Sequence, residues 1–220
     1  MEDEITIISP PKTLEKKNPR TETSVNSKDS INWVIYTLFL RHVITLLTIK
    51  EFEECLSLIT KQSRENDFES QFSIFIKGLI KRYNGEISDS LDLLRKCYNF
   101  NEFNIEYLKE IGKNLALLGR FRMAIEIYDE ILVRNEDDWV NFIIIQDILH
   151  NKGVSQMNLK MYDEAHISFN KALGLYHNEQ TLIQIGKLYI LQEEYKSAID
   201  KYLEALEYNI FLNKFNAGKF

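Results

Sequence analysis

The chain has little proline. All three prolines, Pro10, Pro11 and Pro19, lie within the first 19 of its 220 residues. Because proline breaks helices in their interior, the rest of the chain is free to form uninterrupted helices. Apolar residues recur there at intervals of three and four, and the alternating pattern of strands is absent. The sequence therefore predicts an all-α protein.

Cysteine is scarce, and basic charge is in deficit. Cys55 and Cys97 stand far apart and form no CxxC pair, so they predict neither a disulfide framework nor a zinc site. The net charge is −6 and the isoelectric point is near 5.4. Since nucleic-acid-binding proteins usually carry a basic surplus or a basic face, we predict no nucleic-acid partner.

The motifs of common catalytic and cofactor sites are also missing from the sequence. There is no GxxxxGK[ST] loop, no GxGxxG and no GxSxG elbow. Paired acids such as Glu53 and Glu54 are adjacent in sequence, so they do not share a helix face. The histidines form no HExxH or HxxxH pair; they are His42, His150, His166 and His177. We predict no enzymatic activity, no metal site and no cofactor.

No hydrophobic run is long enough to cross a bilayer. The most apolar stretch, Ile31 to Ile49, carries Arg41 and His42 in its middle, and a charge at the centre of a spanning helix costs at least roughly 2.5 kcal/mol. Its longest uncharged part is ten residues, Ile31 to Leu40, whereas a bilayer core requires roughly 20. We predict a buried helix and no direct membrane insertion.

The N-terminal segment differs in composition from the rest of the chain. Residues 1–29 combine the prolines with charged and hydroxyl residues, and they lack the apolar segment of a signal peptide. We predict a disordered tail.

Glycine is infrequent but periodic. Four of the eight glycines are separated by 34, 41 and 33 residues; they are Gly78, Gly112, Gly153 and Gly186. Two more, Gly85 and Gly119, are also 34 residues apart, and each lies seven residues after one of the four. The chain therefore carries an internal repeat.

Other residues keep the same phase. The last three of these glycines are each followed by an alanine twelve residues later and by an aromatic residue sixteen residues later. The alanines are Ala124, Ala165 and Ala198, and the aromatic residues are Tyr128, Phe169 and Tyr202. Small residues at positions 8 and 20 and an aromatic at position 24 are typical of the 34-residue tetratricopeptide unit. The small side chains let the two helices of a unit approach, and the aromatic fills the gap to the next unit. The predicted fold is a right-handed α-solenoid of about five tetratricopeptide (helix-turn-helix) repeats.

In this frame the solenoid spans residues 30–213. Its units lie near 36–69, 71–104, 105–138, 146–178 and 179–212, and residues 214–220 are predicted to be a C-terminal tail at a truncation. The 41-residue step carries seven extra residues within VNFIIIQDI. Because seven residues make nearly two helical turns, a longer first helix is predicted there, with a loop as the alternative.

Several short stretches, in their order and spacing, resemble one repeat family from Asn32 to Asn209. They are NW (Asn32–Trp33), IKEFEEC ending at Cys55, NGEISDSLDLL (Asn84–Leu94), LLGRFRMAIEIYDE (Leu117–Glu130), DDW ending at Trp139, HNKG ending at Gly153, and IGKLYILQEEYKSAIDKY (Ile185–Tyr202). Together they resemble the N-terminal repeats of the Bardet-Biedl syndrome 4 family, tetratricopeptide subunits of the BBSome. The extra apolar residues near 37–48 and 140–148 depart from that family's pattern, as does an end after five units.

The resemblance implies a function and a location. It implies a subunit of a coat-like adaptor that sorts membrane proteins into and out of cilia and is recruited by an Arf-like small GTPase. It also implies pericentriolar and dynein-dynactin partners. The implied location is the cytoplasm, at the cilium, basal body, centrosome or pericentriolar satellites.

First helices of such repeats line a groove, so polar residues at positions 2, 5, 9, 12 and 13 are candidate partner contacts. They include Lys109, Lys113, His150, Asn158 and Lys187. Two interpretations stay open: a groove for an acidic peptide, or ordinary solvated helix surface, where most charged residues lie. Chaperone-binding repeats usually carry asparagine at position 9, where this chain has Lys113, which disfavours a dicarboxylate clamp.

Two classes of function therefore remain. The first is a non-enzymatic protein-protein interaction scaffold, a BBSome subunit acting in ciliary membrane-protein trafficking and ciliogenesis. The alternative is a tetratricopeptide regulatory or co-chaperone module of another multiprotein complex.

Overall fold

A computed structural model describes residues 27–62, 67–134 and 142–216. Within these ranges the chain forms ten α-helices and no β-strand, which confirms the all-α prediction. The helices are α1 (Ser27–Ile49), α2 (Phe52–Gln62), α3 (Asp67–Tyr83), α4 (Ile87–Phe100), α5 (Ile105–Leu117), α6 (Phe121–Arg134), α7 (Phe142–Asn158), α8 (Tyr162–Leu175), α9 (Glu179–Leu191) and α10 (Tyr195–Asn216).

The first of two compact units ends at Gly85 and contains α1, α2 and α3. Apolar side chains from all three helices form its core: Val43, Leu46, Leu47, Cys55, Ile59, Ile76 and Ile80. Burial raises the pKa of the Cys55 thiol, so this cysteine stays protonated and acts as a small apolar core residue. The prediction of a buried helix holds for one face of α1 only: Val43, Leu46 and Leu47 are buried, whereas Leu38, Ile44 and Ile49 are more than half exposed.

The second unit begins at Glu86 and contains α4 to α10. Its consecutive helices pack against one another, and α5, α7 and α9 also contact each other in that order. Turns of three residues join α5 to α6, α7 to α8 and α9 to α10, so each pair is an antiparallel hairpin. The first helices of the three hairpins therefore form one layer, on which the predicted groove residues are placed.

Each hairpin turn contains one residue with a positive φ. At Gly119, φ is 72°; its N–H donates to the Ala116 carbonyl at 3.0 Å, and the Arg120 N–H donates to the Leu115 carbonyl at 2.8 Å. These are the two bonds of a Schellman motif, and they end α5. The other positive-φ residues of the described chain are Lys50, Gly85, Lys160 and Glu193, and all five stand fourteen residues after a predicted unit start.

The described part of the insertion is helical. Helix α7 has 17 residues, whereas α5 and α9 have 13 each. The first helix of this hairpin is therefore longer, as predicted, from Phe142 onward, and residues 135–141 lie outside the described ranges. The extra apolar residues near 37–48 lie within α1.

The two predicted tail boundaries need correction. Helix α1 begins at Ser27, inside the predicted 1–29 tail, and residues 1–26 lie outside the described ranges. A Ser-Lys-Asp-Ser run is typical of a helix start, which explains the earlier beginning. Helix α10 extends to Asn216, beyond the predicted boundary at 213.

Candidate protein-binding surface

Aromatic rings cover the position-8 glycines of the three hairpins. A Cβ atom added to Gly112, Gly153 or Gly186 would lie 2.5, 2.6 or 2.7 Å from the ring of Tyr128, Phe169 or Tyr202, respectively. Real Cβ atoms essentially never come closer than 3.0 Å to a heavy atom of another, non-adjacent residue. The missing side chain therefore lets the first helix and the second helix of each hairpin approach.

The rings thus have a contact that the sequence interpretation did not include. It placed the position-24 aromatic in the gap to the next unit, whereas each ring lies on the glycine of its own hairpin. Phe169 also joins one buried cluster with Ile185 and Leu188 of α9. One side chain therefore packs within its hairpin and toward the next hairpin.

The remaining predicted repeat positions are buried. Ala124, Ala165 and Ala198 are at most 2% exposed, and Gly78 is buried on α3. Their burial agrees with the predicted role of small residues at these positions, which is to let the facing helix approach.

A network of polar side chains crosses the first-helix layer of the second unit. We call it the polar ladder; its members are Glu106, Lys109, Glu110, Lys113, Gln146, Asp147, His150 and Thr181. Lys109 and Lys113 lie one turn apart on α5, so their ammonium groups share a face. Asp147 lies on α7, the neighbouring first helix.

Asp147 joins the two lysines. Its Oδ2 lies 2.6 Å from Lys113 Nζ and 3.6 Å from Lys109 Nζ. Burial alone would raise the Asp147 pKa, but the positive charges of Lys113 and Lys109, together with His150, outweigh it and lower the pKa. The carboxylate is therefore ionised at neutral pH, and it ties α5 to α7.

Lys109 has carboxylates on more than one side. Its Nζ lies 2.6 Å from Glu106 Oε2 and 3.6 Å from Glu110 Oε1, and 11% of its side chain is exposed. Burial alone would lower the Lys109 pKa, but Glu106, Glu110 and Asp147 outweigh it, so the pKa is raised. Two ammonium groups face three carboxylates in this part of the ladder, which leaves it with one excess negative charge.

The ladder continues from α7 to α9. His150 Nδ1 lies 2.9 Å from Thr181 Oγ1, and Gln146 Nε2 donates to the same oxygen at 3.4 Å. Thr181 lies in the first turn of α9, where its own N–H donates to Asn178 Oδ1 at 2.8 Å. The rings of His150 and Phe169 pack edge to face, with 5.9 Å between their centroids. His150 therefore connects the polar ladder to the aromatic core.

His150 is expected to make stability depend on pH. Burial is the largest cause and lowers the pKa of His150. The negative charge of Asp147 raises this pKa and the positive charge of Lys113 lowers it, and the net result is a lowered pKa. The unfolded chain, with a histidine pKa near about 6.5, then binds more protons than the folded chain just below that pH. We expect the free energy of unfolding to fall as pH decreases from about 7.5 to 5.5, measured by urea denaturation.

The matched variants for this measurement are His150→Asn and His42→Asn. The first removes the titrating group and is expected to flatten the pH dependence, while the second, at an exposed residue, is expected to keep it. Equal slopes for His150→Asn and the unmodified chain would contradict the assignment to His150.

The other predicted groove residues, Asn158 and Lys187, are separate from the ladder. Asn158 is exposed at the end of α7, where its Nδ2 donates to the Val154 carbonyl at 2.8 Å. Lys187 is exposed on α9. The five predicted residues thus divide into three that contact polar groups of neighbouring helices and two at the surface. An acidic-peptide partner stays a prediction.

Sequence reasoning missed several ladder members. Asp147 stands at position 2 of the fourth unit, so the rule that selected the lysines also applies to it. Glu110 and Thr181 occupy positions 6 and 3, which the rule does not include. The signal in the sequence that could have found these two residues is an acidic or hydroxyl side chain on a helix face that is otherwise apolar.

Within the described ranges, no group of three or more His, Cys, Asp or Glu residues is arranged to hold a metal ion. In the same part of the chain, no helix combines the length and apolar character that crossing a membrane requires.

Comparison with curated proteins shows extended similarity to one group. The chain is 31% identical over 178 residues to BBSome complex member BBS4 of Bos taurus, covering 81% of the chain and 31% of that protein. It is 29% identical over 201 residues to the Mus musculus protein of that name, covering 90% of the chain and 36% of that protein. This chain is homologous to BBS4. The finding confirms the resemblance seen in the sequence.

The similarity to BBS4 extends beyond vertebrates. The BBS4 homolog of Drosophila melanogaster is 26% identical over 193 residues, covering 86% of the chain and 37% of that protein. The chain therefore spans about a third of the length of the BBS4 proteins it matches. No protein-family model matches the chain.

Solved structures support the fold. A chain of the APC/C hetero-tetramer Cut9-Hcn1 matches with a TM-score of 0.69 at 20% identity, covering 82% of this chain and 35% of that one. MamA from Desulfovibrio magneticus RS-1 matches with a TM-score of 0.58 at 13% identity, covering 78% of this chain and 93% of that one. Both neighbours are tetratricopeptide-repeat proteins, which confirms the predicted α-solenoid fold class.

Proposed function

We propose that the chain acts as a scaffold subunit of a BBSome, holding other protein subunits in an assembly that traffics membrane proteins of the cilium. The observation that carries the proposal is the similarity to BBS4, which extends over 81% to 90% of the chain in two mammals. The repeat fold supports it, because stacked helical hairpins present an extended surface for protein partners. The proposed location is the cytoplasm, at the basal body and cilium.

The chemistry of the first-helix layer favours binding over catalysis. In the polar ladder, the lysines and Asp147 compensate one another at 2.6 to 3.6 Å. Such mutual neutralisation stabilises helix packing, whereas a catalytic acid or base requires a group that is available to a substrate. We infer that the chain has no catalytic activity of its own. Pericentriolar and dynein-dynactin proteins are further proposed partners.

The exposed polar residues of the first-helix layer are the proposed site of partner contact. Lys187 projects from α9, and with Asn158 it belongs to the predicted groove residues that are exposed. The co-chaperone alternative is not favoured, because the position-9 residue Lys113 is bound to Asp147 at 2.6 Å.

Affinity purification of the tagged chain from ciliated cells of its source organism, with quantitative mass spectrometry, tests the proposal. We expect the other BBSome subunits to be enriched together with the chain. Recovery of chaperones without BBSome subunits would contradict the proposed function.

A pair of charge reversals locates the contact. Lys187→Glu changes an exposed lysine on a first helix, and Lys171→Glu changes an exposed lysine on the second helix α8. We expect Lys187→Glu to reduce the recovery of subunits and Lys171→Glu to leave it unchanged. An equal loss in both variants would place the contact outside the first-helix layer.

A further inference from the structure

A cleft lies between two second helices in the interior of the second unit. Helices α4 and α6 both pack against α5, and the cleft that the three helices line has a volume of about 310 Å³. We call it the α4–α6 cleft. Three buried side chains of α5 form its floor: Leu108, Ile111 and Leu115. A concave apolar site of about 300 Å³ is large enough to bind a ligand group.

The next hairpin places an ion pair at the equivalent positions. Ile111 and Arg95 of the cleft stand at positions 7 and 25 of their units, where the following units have Lys152 and Asp129. Lys152 is paired with Asp129, so side chains at these two positions meet across the space between a first helix and the preceding second helix. In the α4–α6 cleft the position-7 side chain is apolar and makes no such bridge.

A second polar contact of the next hairpin is also replaced by apolar residues. Leu115 and Ile127 of the cleft stand at positions 11 and 23, where the next unit has Gln156 and Ser168. Ser168 Oγ donates to Gln156 Oε1 at 2.7 Å in a buried contact. The fold therefore accepts polar groups at this place, and the apolar surface of the α4–α6 cleft is a property of its own unit.

The two walls of the cleft carry opposite charges. Arg95 on α4 and Glu126 on α6 are both exposed and both line the cleft. The contact of Arg95 with Asp92 is 4.0 Å long, and an exposed pair of this kind is weak, so Arg95 can bind a second carboxylate. A complementary ligand carries an apolar group between an acidic group, which faces α4, and a basic group, which faces α6.

A polypeptide segment has this chemistry, because a few consecutive residues can supply an apolar side chain and charges of both signs. Met123, which is 45% exposed, lies at the mouth of the cleft, and the flexible thioether of methionine adapts to the shape of a bound side chain.

We propose that the α4–α6 cleft binds a segment of a partner protein. An apolar side chain of the segment enters the cleft, a lysine or arginine faces Glu126, and an aspartate or glutamate faces Arg95. This contact is separate from the first-helix contact proposed above and does not depend on it.

Selection from a phage-displayed library of random peptides, each about twelve residues long, tests the proposal with the full 220-residue chain as the target. We expect the enriched peptides to share an apolar residue with a basic and an acidic residue beside it. The dissociation constant of the most enriched peptide is then measured by fluorescence anisotropy. Met123→Glu is expected to raise it at least about tenfold, because the substitution places a carboxylate at the mouth of the cleft.

The matched control is Ile167→Glu. Ile167 is also an exposed apolar residue of a second helix, at 56%, but it lies on α8. The dissociation constant of the peptide is expected to stay unchanged. Circular dichroism on each variant shows that the helices are retained.

Two further variants test the charges and the cleft itself. Selection against Glu126→Lys is expected to enrich peptides with an acidic residue in place of the basic one, because the charge of this wall is reversed. The double variant Arg95→Asp/Ile111→Lys copies the Asp129–Lys152 pair of the next hairpin, and it is expected to abolish binding by filling the cleft.

Three results would overturn the proposal. The first is a selection that enriches no peptide, and the second is an enriched peptide whose affinity Met123→Glu leaves unchanged. The third is a dimer of the chain, seen by sedimentation velocity, that Met123→Glu disrupts, because the cleft would then be occupied by a second copy. Peptides that keep their basic residue after selection against Glu126→Lys would contradict the role of Glu126.

Discussion

Gly112→Ala is expected to lower the free energy of unfolding by about 1–3 kcal/mol, although alanine is the better helix former. The added Cβ would lie 2.5 Å from Cε1 of Tyr128, and that ring is fully buried, so it has no space into which it could move. The two helices of the hairpin must therefore separate or the ring must adopt a strained rotamer. Urea denaturation followed by circular dichroism at 222 nm measures the change.

Gly174→Ala is the matched control for this substitution. Gly174 also lies within a helix, but a Cβ there would meet no atom within 4 Å. Here the same chemical change is expected to raise the free energy of unfolding by roughly 0.5–1 kcal/mol, because glycine is the more flexible residue in the unfolded chain. If the two variants shifted stability in the same direction, the close approach at Gly112 would not be what limits this position.

Two further substitutions extend the test: one introduces a larger side chain at Gly112, and the other places alanine at Gly186, opposite a less buried ring. Gly112→Leu is expected to destabilise the chain more than Gly112→Ala, because leucine adds three further heavy atoms at the same point of contact. Gly186→Ala is expected to cost less than Gly112→Ala, because the facing ring of Tyr202 is only half-buried and has room to rotate. An order of effects that did not follow the burial of the ring would contradict the steric explanation.

Asp147→Asn is expected to lower the free energy of unfolding by about 1–3 kcal/mol at pH 7. The substitution keeps the shape of the side chain but removes the charge that lies between Lys109 and Lys113. The Lys109 side chain is 11% exposed, so water replaces the lost partner poorly. Urea denaturation at pH 7 measures the loss.

The pH dependence of this loss follows from the Asp147 pKa. Because the folded-state pKa is lowered, the carboxylate stabilises the fold above the unfolded value of about 3.9, and this contribution disappears as pH falls through the folded-state pKa. The unmodified chain and Asp147→Asn are therefore expected to differ most near neutral pH and to converge in acid. A difference that persisted unchanged in acid would show that charge is not its cause.

Asp129→Asn is the control for a charge pair outside the ladder. Asp129 is paired with Lys152, and half of its side chain is exposed. Exposed pairs contribute about 1 kcal/mol or less, so this substitution is expected to have the smaller effect. A loss equal to that of Asp147→Asn would indicate that burial does not distinguish the ladder from the surface pair.

The hairpin register was predictable because its cause is local. A residue that ends a first helix in the left-handed conformation recurs fourteen residues after each predicted unit start. The sequence displays this only at Gly85 and Gly119, since lysine or glutamate occupies the other three turns. At those three turns the sequence gives no such sign, and the left-handed residue is seen only in the structure.

The polar ladder was only partly predictable, since it depends on residues far apart in sequence. Position rules placed Lys109 and Lys113 on the first-helix face, but they gave no indication that Asp147, 34 residues beyond Lys113, lies 2.6 Å from its ammonium. The extra residues before Gly153 separate these partners in sequence, and the contact of α7 with α5 places Asp147 beside Lys113. The partner of a charge is therefore set by the packing of α5 against α7.

By itself, the sequence determined the helical class, the repeat period and the small residues that let the two helices of a hairpin approach, because helix periodicity and side-chain volume act over short distances along the chain. The structure added that each position-24 ring covers the glycine of its own hairpin. Only the tertiary structure decided which charges compensate each other and which apolar faces stay exposed, because both depend on which helices become neighbours. Lys109 and Leu203 show the difference: the charged residue is nearly buried, and the apolar residue is half exposed.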